Sequence, residues 1–586
     1  MKWTQLTDPF HNIALSALVA AVPVLFIFFL LIKKTKGYWA SLLTMLLAIV
    51  MAILVYGMPV KLSGLSALHG ALYGLFPIGW VIIGAVFLFN VTVKSGQFEV
   101  IKNFMASITP DRRLQALLIA FSFGAFLEGA AGFGAPVAIS GAMLVGLGFN
   151  PLYAASICLI ANTAPVAFGS VGTPIIIAAH VTDIPELAIS QMVGRTLPFL
   201  SVVVPFYLVV LMAGFKKSLE VLDAILVSGV SFAFFQWFTS NYLGPMLPDV
   251  IAGIASIVCL MIFLKFRKPP PIWRFKEEPP QTIDSELHYT GAEVFRAWSP
   301  FIIMTVFIIF WGLQPVKEAL NSVGFIKFDI SGLQGAILKA DGSILPIKPF
   351  EFNYLSAPGT ALLLAAFISL PLVGLNLKQG LTIYGATLMQ LRYPLLTLAS
   401  VVGFAYVANN SGMLISMAMA LASTGIFFPF FSPILGWLGV FLTGSDTSSN
   451  TLFGKLQATS ATAIGLDPVL TVAANASGGV TGKMISPQSI AIGAAAVDLV
   501  GKESDLFRFT VKHSFLMLFI ICIITVIQAY ITPGVIPVYE KIEITSEAPL
   551  NRISEGFTYL QFLLGIVILL AVSVRFANRN TVIKNG

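Results

Sequence analysis

The sequence predicts an all-α polytopic membrane protein of about 13 transmembrane crossings, built on two inverted repeats that each hold a re-entrant hairpin and a broken helix. Charged residues make up 10% of the chain and hydrophobic ones 57%, against about 25% and 45–50% in soluble domains. Apolar runs of about 20 residues recur along it, each long enough for a hydrocarbon core of ~30 Å. Two of those runs carry the same kind of polar, glycine-rich interruption. One runs from Phe126-Leu127-Glu128-Gly129 to Thr173-Pro174, the other from Phe441-Leu442-Thr443-Gly444 to Ser486-Pro487. Each contains a Gly-rich stretch, a Gly-x-[Asn/Asp]-Pro turn (Gly148/Asn150/Pro151 and Gly465/Asp467/Pro468), an Ala-Asn pair ending in Asn162 or Asn475, a further Gly (Gly169, Gly482) and a [Thr/Ser]-Pro. Interruptions at matching positions of two halves are the best sequence pointer to a transporter's binding site.

The N-terminal helices occupy residues 1–70. The first span, 13–32, ends in Lys33-Lys34-Thr35-Lys36 with no small-residue cleavage site after it, so it reads as a retained span and not a signal peptide. Its lysines assign that end to the cytoplasm and the N-terminus to the outside. The first repeat half, 71–264, holds a re-entrant hairpin at 114–149, broken at Glu128–Gly134, and a broken crossing helix at 151–180. Residues 265–296, rich in Pro and in charges such as Lys265, Arg267, Lys268, Arg274 and Lys276, form a cytoplasmic linker. Connecting helices fill 297–380. Between them an external loop, 317–353, has a small β-hairpin around Ala340-Asp341-Gly342. The second repeat unit, 381–512, has its hairpin at 428–465 and its broken helix at 468–497. The C-terminal helices, 513–586, include an external loop at 533–555 and end in a cytoplasmic tail with Arg575, Arg579 and Lys584. The two units start on opposite sides of the membrane, which makes them an inverted pair. Lys94-Ser95-Gly96 against Asn410-Ser411-Gly412, and Pro77 against Pro394, extend the match upstream.

The net charge of +7 belongs to basic cytoplasmic loops and does not signal nucleic-acid binding. Cys158, Cys259 and Cys522 all lie in apolar runs, and the five histidines are scattered. No metal, disulfide or cofactor pattern results. Neither His-Glu-x-x-His nor Gly-x-Ser-x-Gly occurs, which argues against a membrane-embedded enzyme.

The chemistry of the interruptions follows from the solvent. A broken helix survives in a bilayer only against protein or a water-filled cavity. Its half-helix N-termini offer free N–H groups and partial positive charge, which suit an anion. At the first hairpin tip Gly132 and Gly134 permit close backbone approach, or serve only helix packing. Glu128 beside them costs ~2.5–3.5 kcal/mol or more as an unpaired carboxylate at that depth. It is therefore a proton-coupling group or half of a structural ion pair. The second tip, Thr443 to Thr451, is polar or small throughout. Asp446 is the second coupling candidate, and Ser449, Asn450 and Thr451 can donate to a carboxylate or a hydroxyl. Asn162, Thr163 and Thr173 in one crossing helix, and Asn475 and Ser486 in the other, extend the candidate substrate site. The second crossing helix is expected to break around Ala474–Gly479. Lys483 is a cation at depth whose partner is the substrate carboxylate, Asp446 or Glu128. Arg392 lies mid-span and either snorkels or pairs, and Lys455 and His180 are weaker candidates.

These residues resemble the bacterial L-lactate permease family, whose members carry lactate and glycolate. The resemblance covers nearly the whole chain. It is most specific at Glu128-Gly129-Ala130-Ala131-Gly132-Phe133-Gly134-Ala135-Pro136, at Asn162-Thr163-Ala164-Pro165, and at Gly444-Ser445-Asp446-Thr447-Ser448-Ser449-Asn450-Thr451. It implies proton-coupled uptake of a small 2-hydroxymonocarboxylate across the bacterial inner membrane, with protons and the lipid bilayer as the other partners and no cofactor. The chain also looks like a branch of the wider ion-transporter superfamily, in which Ser-Asn-Thr lies at hairpin tips. Ser449-Asn450-Thr451 fits that pattern. The first tip does not, and Asn162-Thr163 lies in its crossing helix instead. The expected mechanism is lactate–proton symport by alternating access, with Glu128 or Asp446 taking the proton. Sodium coupling is the alternative.

Overall fold

A computed structural model describes residues 2–33, 35–132, 134–267, 271–276, 278, 289–539 and 550–584, with backbone only at 550–551 and 575–584. Phe133 of the first tip, Lys268 and most of the charged linker, residues 540–549 of the external loop, and the side chains of Arg575, Arg579 and Lys584 lie outside that description. Among the described residues 12 helices are long and apolar enough to cross a membrane. The count becomes 13 if the pair Pro151–Ala161 and Val166–Thr182, bent by 65°, is one span. The chain is a polytopic all-α membrane protein.

The order of elements occurs twice. Val60–Lys94 and Leu377–Ser411 are both 35 residues long. Each contains a proline, Pro77 or Pro394, and each leads to a left-handed glycine, Gly96 or Gly412, that opens a short helix, Gln97–Ser107 or Met413–Ala422. Next come the hairpins. Arg112–Ala130 is followed, from the left-handed Gly134, by Ala135–Gly146, and Phe428–Thr443 turns at Gly444-Ser445 into Asp446–Ala463. In both hairpins the two arms pack on each other. The crossing helices then start alike. Asn150 and Asp467 cap the first turn with their side chains and a proline takes the first helical position, where its missing N–H costs nothing.

The two crossing helices differ in where they break. The first stops at Ala161, loses its helical ladder at Asn162–Pro165, and holds left-handed backbone at Ser170, Val171 and Gly172 (φ 46°, 55° and 71°). Two of those residues carry a Cβ, a strain of order 1–3 kcal/mol each. The expected break at Ala474–Gly479 is not there. Pro468–Lys483 is one continuous helix, and the interruption falls at residues 484–486, before Pro487–Ala496. The glycines serve close packing instead. A Cβ at Gly478 would sit 2.1 Å from the Pro433 carbonyl oxygen and one at Gly482 2.5 Å from that of Trp437. Small residues let this helix lie directly on the first arm of the second hairpin.

Outside the spans, Ile326–Phe328 pairs antiparallel with Phe350–Phe352, and Trp3–Thr4 pairs in parallel with Ile337–Leu338. The turn at Ala340-Asp341-Gly342 closes as a minimal hairpin, with Leu338 bridging Ile344. At the base of the first hairpin Arg112 and Arg113 are buried and not solvated. Arg112 grips Glu278 with Nε and Nη2 (3.1 and 2.8 Å). Arg113 pairs with Asp111 and Glu220, both at 2.8 Å, and donates to the Pro271 carbonyl. A buried bidentate guanidinium is a strong, directional clamp. It ties linker residues 271–278 to the hairpin base.

Candidate functional site

A cavity of about 340 Å³ lies where the interruptions meet. Gly134 reaches it from the first tip and Thr443 to Ser448 from the second. Gly169, Ser170 and Pro174 come from one crossing helix, Lys483, Gln488, Ser489 and Ile492 from the other. Tyr38, Tyr393 and Thr397 line the remaining side, with the Tyr38 and Tyr393 rings stacked 4.5 Å apart.

Residues that open four helices border this space: Gly134 before Ala135–Gly146, Gly169 in Gly169–Thr182, Ser445 before Asp446–Ala463, and Gln488 in the first turn of Pro487–Ala496. Their orientation follows from local sequence. Ser445 and Ser486 are extended N-caps whose hydroxyls accept from the N–H groups of Ser448 and Ser489. Gly444 precedes the second tip at φ 71°, a conformation a residue with a Cβ rarely takes. Three helix starts, those of Ala135–Gly146, Asp446–Ala463 and Pro487–Ala496, thus border one cavity and lend it partial positive charge, while Gly169–Thr182 opens in left-handed backbone.

One ion pair crosses it. Lys483 Nζ lies 2.6 Å from Glu128 Oε1, joining residues 355 positions apart in sequence. Asn162 donates to the other oxygen, Oε2, at 3.1 Å. Glu128 is 3% exposed and Lys483 8%, so each charge is withdrawn from bulk solvent and depends chiefly on the other. Gly169 is the reason the carboxylate fits: a Cβ there would stand 2.5 Å from Oε1. Asp446 is equally buried but far less supported. Among the described residues its only donor is the Asn450 amide at 3.5 Å, and Oδ1 has no partner. A Cβ at Gly479 would stand 2.3 Å from Oδ1.

The candidates from the sequence thus divide. Glu128, Gly134, Asp446 and Lys483 line the cavity, and Asn162 supports it from behind. Gly132, Thr163, Thr173, Ser449, Asn450, Thr451, Asn475 and Ser486 do not line it. Ser449 donates to the Gly436 carbonyl, Thr451 to that of Thr447, and Thr163 to that of Ile160. Thr173 donates to the Ser170 carbonyl, and Ser486 to that of Lys483. Asn450 donates to the Pro174 carbonyl (3.0 Å), which fastens the second hairpin to the first broken helix, and accepts from Asn475 at 2.8 Å. Arg392 is exposed and stacks over Tyr393. Lys455 pairs with Asp183 at 3.5 Å, and Asp183 also pairs with Lys348 at 2.9 Å. His180 packs against Tyr73, which also contacts His69, Tyr406 and Phe350.

Sequence reasoning missed Ser445, Ser448, Gln488 and Ser489 as lining groups. The N-cap rule was the available signal, because a residue in a helix's first turn shares the exposure of its N–H groups. It also missed Asp249, a fully buried carboxylate beside Gly129.

The family model described as L-lactate permease matches residues 16–532. The L-lactate permease of Bacillus subtilis is 54% identical over 565 residues, covering 92% of this chain and all of its own. The glycolate permease GlcA of Escherichia coli is 50% identical, with the same coverage. The L-lactate permease of that organism is 49% identical, covering 91% of this chain and all of its own. Among solved structures, the YdaH transporter of Alcanivorax borkumensis aligns at 12% identity and a TM-score of 0.43, covering 78% of this chain and 86% of its own. With matches that run almost end to end at about half identity, the chain belongs to the L-lactate permease family.

Proposed function

We propose that this chain imports L-lactate, and also D-lactate and glycolate, by symport with a proton. The observation that carries the reading is the cavity bordered by three helix N-termini whose one cation among the described residues, Lys483, is held by Glu128. Such a site suits a small anion, and the same lysine cannot serve two carboxylates at full strength. Protonating Glu128 removes its charge and frees the Lys483 ammonium for the substrate carboxylate. Ionised Glu128 recaptures the lysine and expels the substrate. Proton and substrate thus bind together or not at all. Ser445, Thr447, Ser448, Gln488 and Ser489 offer hydroxyl and amide partners for the 2-hydroxyl group. Asp446, at the same wall, is the second acid of the site.

Alternating access follows from the two units being an inverted pair in the inner membrane, with the N-terminus outside and the C-terminus in the cytoplasm. In that orientation the side of the cavity lined by Gly37 and Tyr38, next to Lys36, faces the cytoplasm. We assign the opposite closure to the packed rings of His69, Tyr73, Tyr406, His180 and Phe350, together with the Asp183–Lys455 and Asp183–Lys348 pairs.

One proton with one monoanion moves no net charge, so a membrane potential does no work on the step. A tenfold proton gradient, worth ~1.4 kcal/mol, supports about tenfold accumulation. The test is uptake of labelled L-lactate into proteoliposomes, with D-lactate, glycolate, pyruvate and succinate as competitors. Accumulation after a pH step, without sodium, is expected. Uptake that requires sodium and ignores the pH step would establish the sodium-coupled alternative. Voltage-driven uptake at equal pH would end the one-to-one scheme. Glu128→Gln is expected to keep exchange and lose the dependence of net uptake on the pH step; survival of both removes Glu128 from coupling.

A further inference from the structure

Asp249 is the carboxylate that the scheme above leaves unused. It lies in the first turn of Pro248–Phe266, a helix whose sequence reads as an ordinary span. The preceding turn brings it to the first hairpin tip. A Cβ at Gly172 would sit 2.3 Å from the Pro245 carbonyl oxygen, so residues before the helix press on the left-handed break. A Cβ at Gly129, the neighbour of Glu128, would sit 2.7 Å from the Asp249 Cβ. The side chain is 1% exposed, and no well-formed hydrogen bond reaches either of its oxygens among the described residues, the Gln236 side chain being the one neutral group placed to approach them. The charged groups that act on it are Glu128 and Lys483. Gln236, the polar side chain nearest on the adjoining helix, is engaged with the Ala164 carbonyl and the Ser201 hydroxyl.

A carboxylate in that setting has no counter-ion of its own, because Lys483 is committed to Glu128. A helix N-terminus returns less than the burial of a bare charge demands. The neutral acid fits the site better. Two carboxyls and one ammonium then sum to zero, with the proton on Asp249 and the charge on Glu128.

We propose that Asp249 is a proton-relay residue that hands its proton to Glu128 and thereby releases Lys483 to the substrate. This rests on the symport reading above. In the step the O–H bond on Asp249 breaks and one forms on Glu128. Lys483 keeps its three protons and turns to the substrate carboxylate. Asp249 then regains a proton from water, so one proton enters per substrate anion.

The experiment compares wild type, Asp249→Asn and Asp249→Glu in proteoliposomes, measuring uptake driven by a pH step and exchange of labelled for unlabelled lactate at constant pH. Asp249→Asn is expected to lose at least tenfold in proton-driven uptake, to keep exchange within about threefold of wild type, and to lose its pH profile. Asp249→Glu is expected to recover most net uptake. Wild-type net uptake in Asp249→Asn overturns the relay, and so does loss of exchange in folded, monodisperse protein, which would mean a substrate-binding role. Infrared spectra of the Asp446→Asn protein with carbon-13-labelled aspartate give a readout in which Asp249 stays intact. A labelled band of a neutral carboxylic acid at pH 7 is expected, and its absence overturns the proposal. Wild-type uptake that ignores the pH step would instead refute the symport reading itself.

Discussion

The two hairpins occupy equivalent places in the element order, yet they are held differently. Every residue of the window that defines Arg112–Ala130 is buried inside the protein, against 44% for Gly425–Thr443. The first is clamped at its base by Arg112 and Arg113, and the carboxylate at its tip is fully engaged by Lys483 and Asn162. The second presents Thr443 to Ser448 to the cavity, with Asp446 supported by a single long contact. Equivalent positions thus hold one tip whose carboxylate is paired and one whose polar groups face the cavity. On the function proposed above, electrostatic work falls to the first and recognition to the second.

The sharpest break of that contrast is Lys483→Ala. It leaves Glu128 buried and unpaired, a loss of order 3–5 kcal/mol, and proton-driven uptake should fall by about a hundredfold or more, close to 2.7 kcal/mol of lost stabilisation. Thermal unfolding in detergent and uptake assays read both effects. Adding Glu128→Gln should restore much of the stability but not the uptake. Next is Gly169→Ala against Gly479→Ala. The first pushes a methyl against an engaged carboxylate, and an overpacking loss of about 1–3 kcal/mol is expected. The second meets the looser Asp446 and should cost less stability; equal losses would contradict the difference between the tips. Asn450→Ala removes the tie between the second hairpin and Pro174, with an expected loss of about 1–3 kcal/mol, and should not change the substrate's apparent affinity. The smallest effect is that of Lys455→Ala. This partly exposed pair with Asp183 is worth about 0.2–1 kcal/mol. Its removal should raise labelling of a cysteine placed at Thr447 from the side opposite Tyr38.

Much of this site was legible in the sequence because membrane burial makes polar interruptions conspicuous. Glu128, Gly134, Asp446 and Lys483 were all singled out and all meet at the cavity. The position of the second break was not legible. A run such as Ala474–Gly479 reads equally as a broken helix or as a seam of small residues, and only the carbonyls of Pro433 and Trp437 lying against it decide the matter. Ser449, Asn450 and Thr451 read as ligand groups because hydroxyls and amides suit a carboxylate. In the folded chain those donors are met by backbone carbonyls and by each other. Asp249 was passed over since an acid beside a proline at the start of a span is ordinary helix-opening chemistry. Its nearness to Glu128 comes from the dip of the preceding turn, a long-range feature that no local pattern carries.

The clamp at Arg112 and Arg113 has a mechanical meaning. Residues 271–278 follow the last span of the first half and precede the helix Gly291–Gly312, yet their carbonyls and carboxylates are bonded to the base of the first hairpin. Under the alternating-access proposal any displacement of that hairpin base is passed directly to residues 271–276 and Glu278, so the first half cannot move without loading the segment that follows its last span.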